Sequence, residues 1–364
     1  MSWLGSDRYG APILESLELE TSYGLGSIPS PFVAFPSLRE LTLKGVLLPK
    51  GCSAYIGLRK LHFEYSGRSE KQLHLRSLLT ACPDLEELTI RSMELWHVFE
   101  DMDVSGDPKE DPVQMPHLSS VTLELFARDL YRILFLMALP PTARIQLRIV
   151  RHSKSEKTAF SDILPLDPRC IPSLRHACKL RIRRGYPPRF VVSRIRYTVD
   201  DKTPMIDDEP FLDIEPTHYS SLSKINSMVN LLQHLPHVHH IDFIDCYDNS
   251  ADHLALARML PLVRSLHIRS LTLEYLRTWT AQIKHSPNPL WPHLRHLVLS
   301  WTNLEGDCED LVTFCQALRT QIQTIDLRKC RMSSLEQENI LLEKLRGLGI
   351  PSVTCIDSRY PDPH

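Results

Sequence analysis

The segment HLPHVHH carries the side chains best placed to hold a metal ion: His234, His237, His239 and His240. Imidazole nitrogens are common zinc ligands, and a site needs several of them around one point. In strand register, however, His240 points outward while Val238 and Ile241 point inward, so the four rings do not converge. We therefore predict no metal site and no cofactor.

Short motifs that carry catalysis do not occur in this chain. We find no GxSxG, GxxxxGK[ST], GxGxxG or HExxH sequence and no kinase signature. Three tryptophans, Trp279, Trp291 and Trp301, could line a ligand cage, but we expect them to pack in the core or at a cap. The sequence therefore predicts a protein that is not an enzyme.

Composition excludes several classes of protein. The 364 residues are 43% hydrophobic and 24% charged, with a formal net charge of -2, so no overall attraction to nucleic acid or anionic lipid is expected. The N-terminus has no signal-peptide pattern, and no apolar run is long enough to span a membrane. Nine cysteines without a CxxC pair indicate reduced thiols. We expect a cytoplasmic or nuclear protein that does not contact membranes.

A repeated sequence phrase predicts the strands that must position these side chains. Its best copies are FPSLRELTLKG (35 to 45), CPDLEELTIRS (82 to 92), MPHLSSVTLEL (115 to 125), LPHVHHIDFID (235 to 245), LPLVRSLHIRS (260 to 270) and WPHLRHLVLSW (291 to 301). Aligned, they read L-x-x-L-x-L, and some continue to an N/C-x-L ending, as in Ile322, Ile325, Leu327, Cys330 and Met332. Each x-L-x-L-x predicts a short strand with leucines inward and the x positions outward.

Amphipathic stretches of helical period separate the phrases. They span 72 to 82, 128 to 139, 221 to 235, 250 to 260, 308 to 319 and 333 to 349. The last begins with a capping-box arrangement of Ser333 and Glu336 and ends in glycine. The proline of each phrase stops the preceding helix, because it disfavours helix in the residue before it.

This alternation predicts an α/β leucine-rich-repeat solenoid, a horseshoe with a concave parallel β-sheet and outer helices. A doubly wound α/β domain is the alternative, but it does not predict the recurring phrase. We expect one solenoid over 1–364, with N-terminal repeats in 13–143, irregular charged repeats in 144–220 and C-terminal repeats in 221–358.

The middle segment carries strong and opposite charges. Residues 144 to 196 contain fourteen Lys or Arg and three acids, and residues 200 to 215 contain seven acids beside Lys202. RIQLRIV (144 to 150), CKLRIRR (178 to 184) and FVVSRIRYTV (190 to 199) look like strands that continue the sheet, followed by an acidic loop. The charges either neutralise each other, which is the interpretation that we prefer, or bind an acidic ligand.

The LPxLxxLxL phrase, the irregular repeats, and the R-I-R-Y strand with its acidic loop together resemble the repeat half of fungal F-box/leucine-rich-repeat proteins. The resemblance implies a substrate receptor of an SCF-type ubiquitin ligase, in which an N-terminal F-box docks the adaptor of a cullin ligase. The first repeat begins at Leu14, so we expect this chain to carry no F-box, and it would meet the adaptor only if one exists upstream.

The outward x positions form the predicted binding site. Polar and mixed in charge, they suit a protein partner on the concave sheet; the candidates are Lys44, Lys60, His62, Glu64, Glu87, Arg91, Glu124, His240, Asp242, His267, Arg269, His296, Asp326 and Arg328. Binding of nucleic acid or another polyanion by 144–196 is the alternative, although few aromatic residues accompany its basic ones. A cytosolic repeat scaffold unrelated to ubiquitin is another, and for a GTPase regulator we find no candidate residue.

Overall fold

The computed structural model describes residues 13–21, 26–27, 35–47, 56–65, 75–92, 111–150, 163–165, 169–183, 189–198, 205–216, 232, 235–244, 258–270, 273–285, 291–305 and 308–357. The chain divides into two compact units. Unit 1 is Met1–Leu174 with Phe211–Thr217, and unit 2 is Arg175–Pro210 with His218–His364.

The sheet of unit 1 is parallel. Its strands are β1 (Ser16–Glu20), β3 (Glu40–Lys44), β5 (Lys60–Tyr65), β6 (Glu87–Ser92), β8 (Ser120–Phe126), β10 (Arg144–Val150) and the C-terminal half of β13 (Met205–Pro216), in that spatial order. Two short parallel pairs accompany it, β2 (Gly26–Ser27) with β4 (Val46–Leu47) and β7 (Val113–Gln114) with β9 (Met137–Ala138).

Unit 2 contains β11 (Lys179–Arg183), β12 (Arg189–Thr198), β14 (His240–Ile244), β15 (Ser265–Arg269), β16 (His296–Ser300), β17 (Thr324–Arg328) and β18 (Ser352–Ile356). Their order in the sheet is β12-β11-β14-β15-β16-β17-β18. Every pair from β11 to β18 is parallel, but β12 runs antiparallel to β11. The predicted leucine-rich-repeat fold, a parallel sheet built from one strand per phrase, is confirmed.

The described helices are α1 (Leu75–Ala81), α2 (Ala127–Leu136), α3 (Leu273–His285), α4 (Glu309–Ala317) and α5 (Leu335–Gly347), with a 3-10 turn at Pro172–His176. Four of the predicted helices correspond to α1, α2, α4 and α5, while most of 221 to 235 and 250 to 260 lies outside the described residues. No helix in the described ranges has the length and hydropathy needed to cross a bilayer.

One face of each strand forms the core. In the repeat around β17, the predicted inward residues Ile322, Ile325, Leu327, Cys330 and Met332 are all buried. Alternate residues of a strand point to opposite faces, so the residues between them are left on the other side of the sheet. Burying a Leu or Ile side chain contributes about 1.5–3 kcal/mol, and β3, β5, β6, β8, β10 and β14 to β17 each bury at least two apolar residues.

The proline phrase forms a β-turn before the strand that it introduces. In the first copy the amide of Leu38 donates to the carbonyl oxygen of Phe35 at 3.1 Å, with Pro36 in the second position of the turn. Proline fits there because its ring already fixes φ near the required value. The same bond recurs in the other copies and in an additional one at 171 to 174, where the amide of Leu174 donates to the carbonyl oxygen of Ile171 at 3.2 Å.

Three local expectations were wrong. The acidic stretch predicted as a loop contains β13, in which the buried Leu212 and Ile214 lie on either side of the less buried Asp213. Residues 273 to 285, which are not among the predicted helical stretches, form helix α3. The N-cap of α5 is Ser334, whose hydroxyl accepts from the amide of Gln337 at 3.2 Å, and not Ser333.

Candidate functional site

The outward face of unit 1 carries a row of alternating charges. In consecutive register from β1 to β10 the residues are Glu20, Lys44, Glu64, Arg91, Glu124 and Arg148. Ion pairs join several neighbours: Lys44 Nζ lies 3.8 Å from Glu20 Oε2, and Arg91 Nε and Arg148 Nη1 lie 3.7 and 3.8 Å from Glu124 Oε2. Opposite charges directly across a sheet stabilise the strand pairing.

A second row of the same face is also paired. Lys60 Nζ lies 3.3 Å from Glu40 Oε1 and 3.4 Å from Glu87 Oε1, the residues on either side of it in register. Hydrogen bonds to these two carboxylates raise the pKa of Lys60 above its ordinary value. Lys44 pairs with Glu18 at 2.6 Å, and this bond raises the pKa of Lys44.

Histidine 62 lies between these two rows. Burial lowers the pKa of His62, and the nearby guanidinium of Arg91 lowers it further. Its Nε2 is 3.7 Å from Glu64 Oε2, which is beyond hydrogen-bonding distance. Most charged groups described on this face are therefore paired with one another.

The outward face of unit 2 is organised around a buried carboxylate, Asp242 of β14. Lys179 Nζ lies 3.1 Å and Arg181 Nε 3.2 Å from Asp242 Oδ2, and His267 Nδ1 lies 3.7 Å from Oδ1. A buried charge is tolerated when cations surround it, and here they come from the strands on both sides. Burial lowers the pKa of His267, and Asp242 opposes this effect.

Polar side chains of neighbouring strands are hydrogen-bonded across the rest of this face. His267 Nε2 is 2.7 Å from the hydroxyl of Ser300, and His296 Nδ1 is 2.7 Å from the hydroxyl of Thr324. Asp326 accepts from the Thr354 hydroxyl at 2.6 Å and from Arg328 Nη2 at 2.9 Å. The middle of the face is therefore a connected polar network.

At the carboxyl ends of its strands, unit 2 carries a row of residues with left-handed backbone. Ser270, Trp301 and Lys329 follow β15, β16 and β17 and have φ of 59°, 57° and 53°. The amide of each donates to a carbonyl of the next strand, at Ser300, Arg328 and Ile356 respectively, over 2.8–3.0 Å. The same bond and sign of φ occur at Gly45 after β3, where glycine makes the conformation free of strain.

The conformation of Trp301 explains why this tryptophan does not pack in the core. Alternation places Leu297 and Leu299 inward, and continued alternation would bury Trp301 as well. The strand instead ends at Ser300, and the left-handed residue turns the indole outward, so that Trp301 is 38% exposed while Ser300 is buried. Trp279 and Trp291 do pack in the core as expected, edge to face with ring centroids 5.2 Å apart.

Two cations flank the exposed indole. The guanidinium carbon of Arg269 lies 5.4 Å and Nζ of Lys329 lies 5.2 Å from the Trp301 ring centroid. Cations at this distance are attracted to the face of an indole ring. Within the part of the chain that the structure describes, neither Arg269 nor Lys329 forms an ion pair with a carboxylate.

The predicted site residues divide equally between the two units. Lys44, Lys60, His62, Glu64, Glu87, Arg91 and Glu124 lie on the face of unit 1, and His240, Asp242, His267, Arg269, His296, Asp326 and Arg328 lie on that of unit 2. Their role in binding stays a prediction. Sequence reasoning missed Trp301 and Lys329, because it considered only positions inside the strands.

Two other predictions concern charge and metal ligands. Described basic residues of the middle segment pair with acids from outside the 200–215 stretch, Arg148 with Glu124 and both Lys179 and Arg181 with Asp242. Neutralisation of the basic stretch by the acidic one stays a prediction. Among the described residues, which exclude His234, no three His, Cys, Asp or Glu side chains are grouped to hold a metal.

Comparisons with known proteins find only remote likenesses. No family model matches the chain, and no curated protein matches it. An internalin (inlF) from Listeria monocytogenes is 12% identical, over 96% of this chain and 82% of that one, with a TM-score of 0.29. A TLR13–ssRNA13 complex is 13% identical, with a TM-score of 0.34; the match covers 93% of this chain but less than half, 45%, of that one.

Proposed function

We propose that this protein is a protein-interaction module and that the outward sheet face of unit 2 holds its partner. The observation that carries the proposal is the difference between the two faces. The cations of unit 1 are matched by carboxylates in register, whereas Arg269 and Lys329 have no carboxylate partner in the described ranges. Charges that a fold does not use for its own pairing are available to a partner.

Proximity labelling combined with co-purification from cells tests this proposal. A dominant partner is recovered with the native chain and lost with the double variant Arg269→Glu, Arg328→Glu. Arg319→Glu is the matched control, because Arg319 is exposed, lies just beyond α4 and makes no described side-chain contact. Recovery that is unchanged in the double variant would contradict binding on this face.

We further propose that the partner is a substrate and that the module acts as the recognition part of an SCF-type ubiquitin ligase. The repeat phrase and its resemblance to fungal F-box proteins support this assignment. The genomic sequence upstream of the Met1 codon tests it directly, because an F-box encoded there would dock the cullin adaptor. A partner whose abundance does not rise when the gene is deleted would contradict the substrate role.

The proposed role also places the protein in the cytoplasm or nucleus, where cullin ligases act. A fluorescent fusion expressed at native level checks the compartment. Secretion of the fusion would contradict the ligase role and leave protein binding as a separate question.

A further inference from the structure

The row of left-handed residues at the strand ends of unit 2 has a property that the fold alone does not require. Trp301 and Lys329 carry large side chains at positions where glycine would be free of strain, as Gly45 is in unit 1. Strained backbone of this kind is concentrated at functional sites. Trp301 is a clear case, because its conformation both turns the chain and exposes an indole.

A second observation is the chemistry around that indole. Arg269 comes from the strand before Trp301 and Lys329 from the segment after the next strand, and both cations lie over the ring. Arg328 lies beside them and shares its charge with Asp326. Among the described residues the positive charges next to the ring therefore exceed the carboxylates that pair with them.

A third observation is an exposed apolar side chain on the same edge. Ile356, in register with Arg328 on β18, is 47% exposed. Trp301 and Ile356 thus present apolar surface on either side of Arg328 and Lys329. A ligand that matches this edge needs negative charge and large apolar side chains together.

We propose that Trp301, Arg269, Lys329 and Ile356 form a binding site for an acidic peptide segment that also carries large apolar side chains. The carboxylates of the segment pair with Arg269 and Lys329, and its apolar side chains pack on the indole and on Ile356. This inference deepens the proposed function by naming the chemistry of the partner, and it rests on that function.

A nucleic acid is the other anionic macromolecule that could meet basic and aromatic residues. Binding of single strands depends on bases that stack on aromatic rings. A base that stacked on the ring face covered by Arg269 or Lys329 would have to displace that cation. A peptide needs no such displacement, because its carboxylates can reach the same cations from the solvent side and its apolar side chains can pack on the part of the indole that the cations leave exposed.

Fluorescence anisotropy with defined probes tests the site on the full chain. The probes are three labelled twelve-residue peptides, one alternating Asp or Glu with Leu or Phe, one with Ser in place of the apolar residues and one with Lys in place of the acids, and a twelve-nucleotide RNA. We expect the acidic apolar peptide to bind at least tenfold more tightly than each of the other probes. Equal binding of the acidic polar peptide, or no binding of any peptide, overturns the proposal.

Three variants then locate the binding. Trp301→Gly keeps the left-handed turn, as Gly45 shows, and removes the indole; Lys329→Glu reverses a flanking charge. Both variants should bind the acidic apolar peptide at least tenfold more weakly than the native chain while keeping its circular dichroism spectrum. Arg319→Glu should bind this peptide within twofold of the native affinity. Affinity that survives both changes overturns the site, and RNA binding that is lost in both replaces it with a nucleic-acid site.

The outcomes separate this inference from the proposed function. A cellular partner that is lost with Arg269→Glu, Arg328→Glu but retained by Trp301→Gly and Lys329→Glu leaves protein binding on this face intact and overturns the acidic-peptide site. Loss of the partner in all of these variants, together with peptide binding, supports both.

Discussion

The imidazole of His267 and the hydroxyl of Ser300 meet across β15 and β16, with Nε2 and Oγ 2.7 Å apart. Asp242 lies on the other side of the ring, 3.7 Å from Nδ1, so the order of groups is that of a serine nucleophile with its base. Three features oppose catalysis. Ser300 is buried, Asp242 is shared with Lys179 and Arg181, and the Trp301 amide donates to the Arg328 carbonyl instead of facing a substrate.

The first prediction is that Ser300 acts in folding. Ser300→Ala removes the partner of a half-buried imidazole nitrogen, which costs about 1–3 kcal/mol of unfolding free energy in such settings. Urea denaturation measures the loss. Ser265→Ala is the control, since Ser265 faces the same side and makes no described side-chain hydrogen bond, and its effect should stay below about 0.5 kcal/mol. Equal stability of the two variants would contradict the role given to the His267–Ser300 bond.

The second prediction concerns pH. Burial lowers the pKa of His62, His240 and His267 in the folded chain, so the unfolded chain binds more protons as the pH falls below about 6.5. The free energy of unfolding should therefore be highest above that pH. It should decrease as the pH falls toward the pKa values that these three histidines have in the folded chain. Urea midpoints at pH 7.5 and 5.5 measure the decrease.

The double variant His240→Gln, His267→Gln is the comparison for this measurement. It should lose less of its stability between the two pH values than the native chain does. An identical loss in both proteins would assign the pH dependence to other groups.

The third prediction concerns the charge rows of unit 1. Lys60→Glu places three carboxylates side by side in register, between Glu40 and Glu87, where like charges repel. We expect the Tm of Lys60→Glu to lie below that of the native chain at low ionic strength. The difference in Tm should shrink in about 1 M salt, where the Debye length is about 3 Å. Arg319→Glu changes the net charge equally and should leave the Tm almost unaltered; a salt-independent effect of Lys60→Glu would argue for lost packing instead.

The fourth prediction uses the cysteines. Burial raises the pKa of Cys82 to about 12 and that of Cys330 to about 11, so the reactive thiolate is scarce at pH 8. A maleimide reagent with peptide mapping should label the half-buried Cys178, Cys308 and Cys355 in the native protein and spare Cys82 and Cys330. Rapid labelling of Cys330 before unfolding would contradict the packing of its repeat.

The sequence predicted the inward half of the fold more completely than the outward half. Residues such as Leu41, Leu43, Ile325 and Leu327 are specified by period and hydrophobicity, because a slip by one position would expose all of them. Helix α3 was missed because Leu273 also fits the end of the strand phrase. β13 was missed because its acids obscured the alternation of its apolar residues.

The candidate site was predicted only in part, for a physical reason. Positions such as Arg269 and Arg328 follow from alternation within a strand. Trp301 does not, because a change in the sign of φ at one residue reverses where its side chain points, and no glycine marks that position. Pairing partners such as Lys179 and Asp242 also depend on which strands are neighbours, which the phrase alone does not give.

The amide bonds of Ser270, Trp301 and Lys329 to the next strand have one more consequence. They fix the backbone at each strand end through main-chain atoms, whatever the side chain is. Evolution can therefore exchange the residues along this edge one at a time while the register of the sheet stays the same. The proposed peptide site on this edge could therefore change its specificity without requiring the protein to refold.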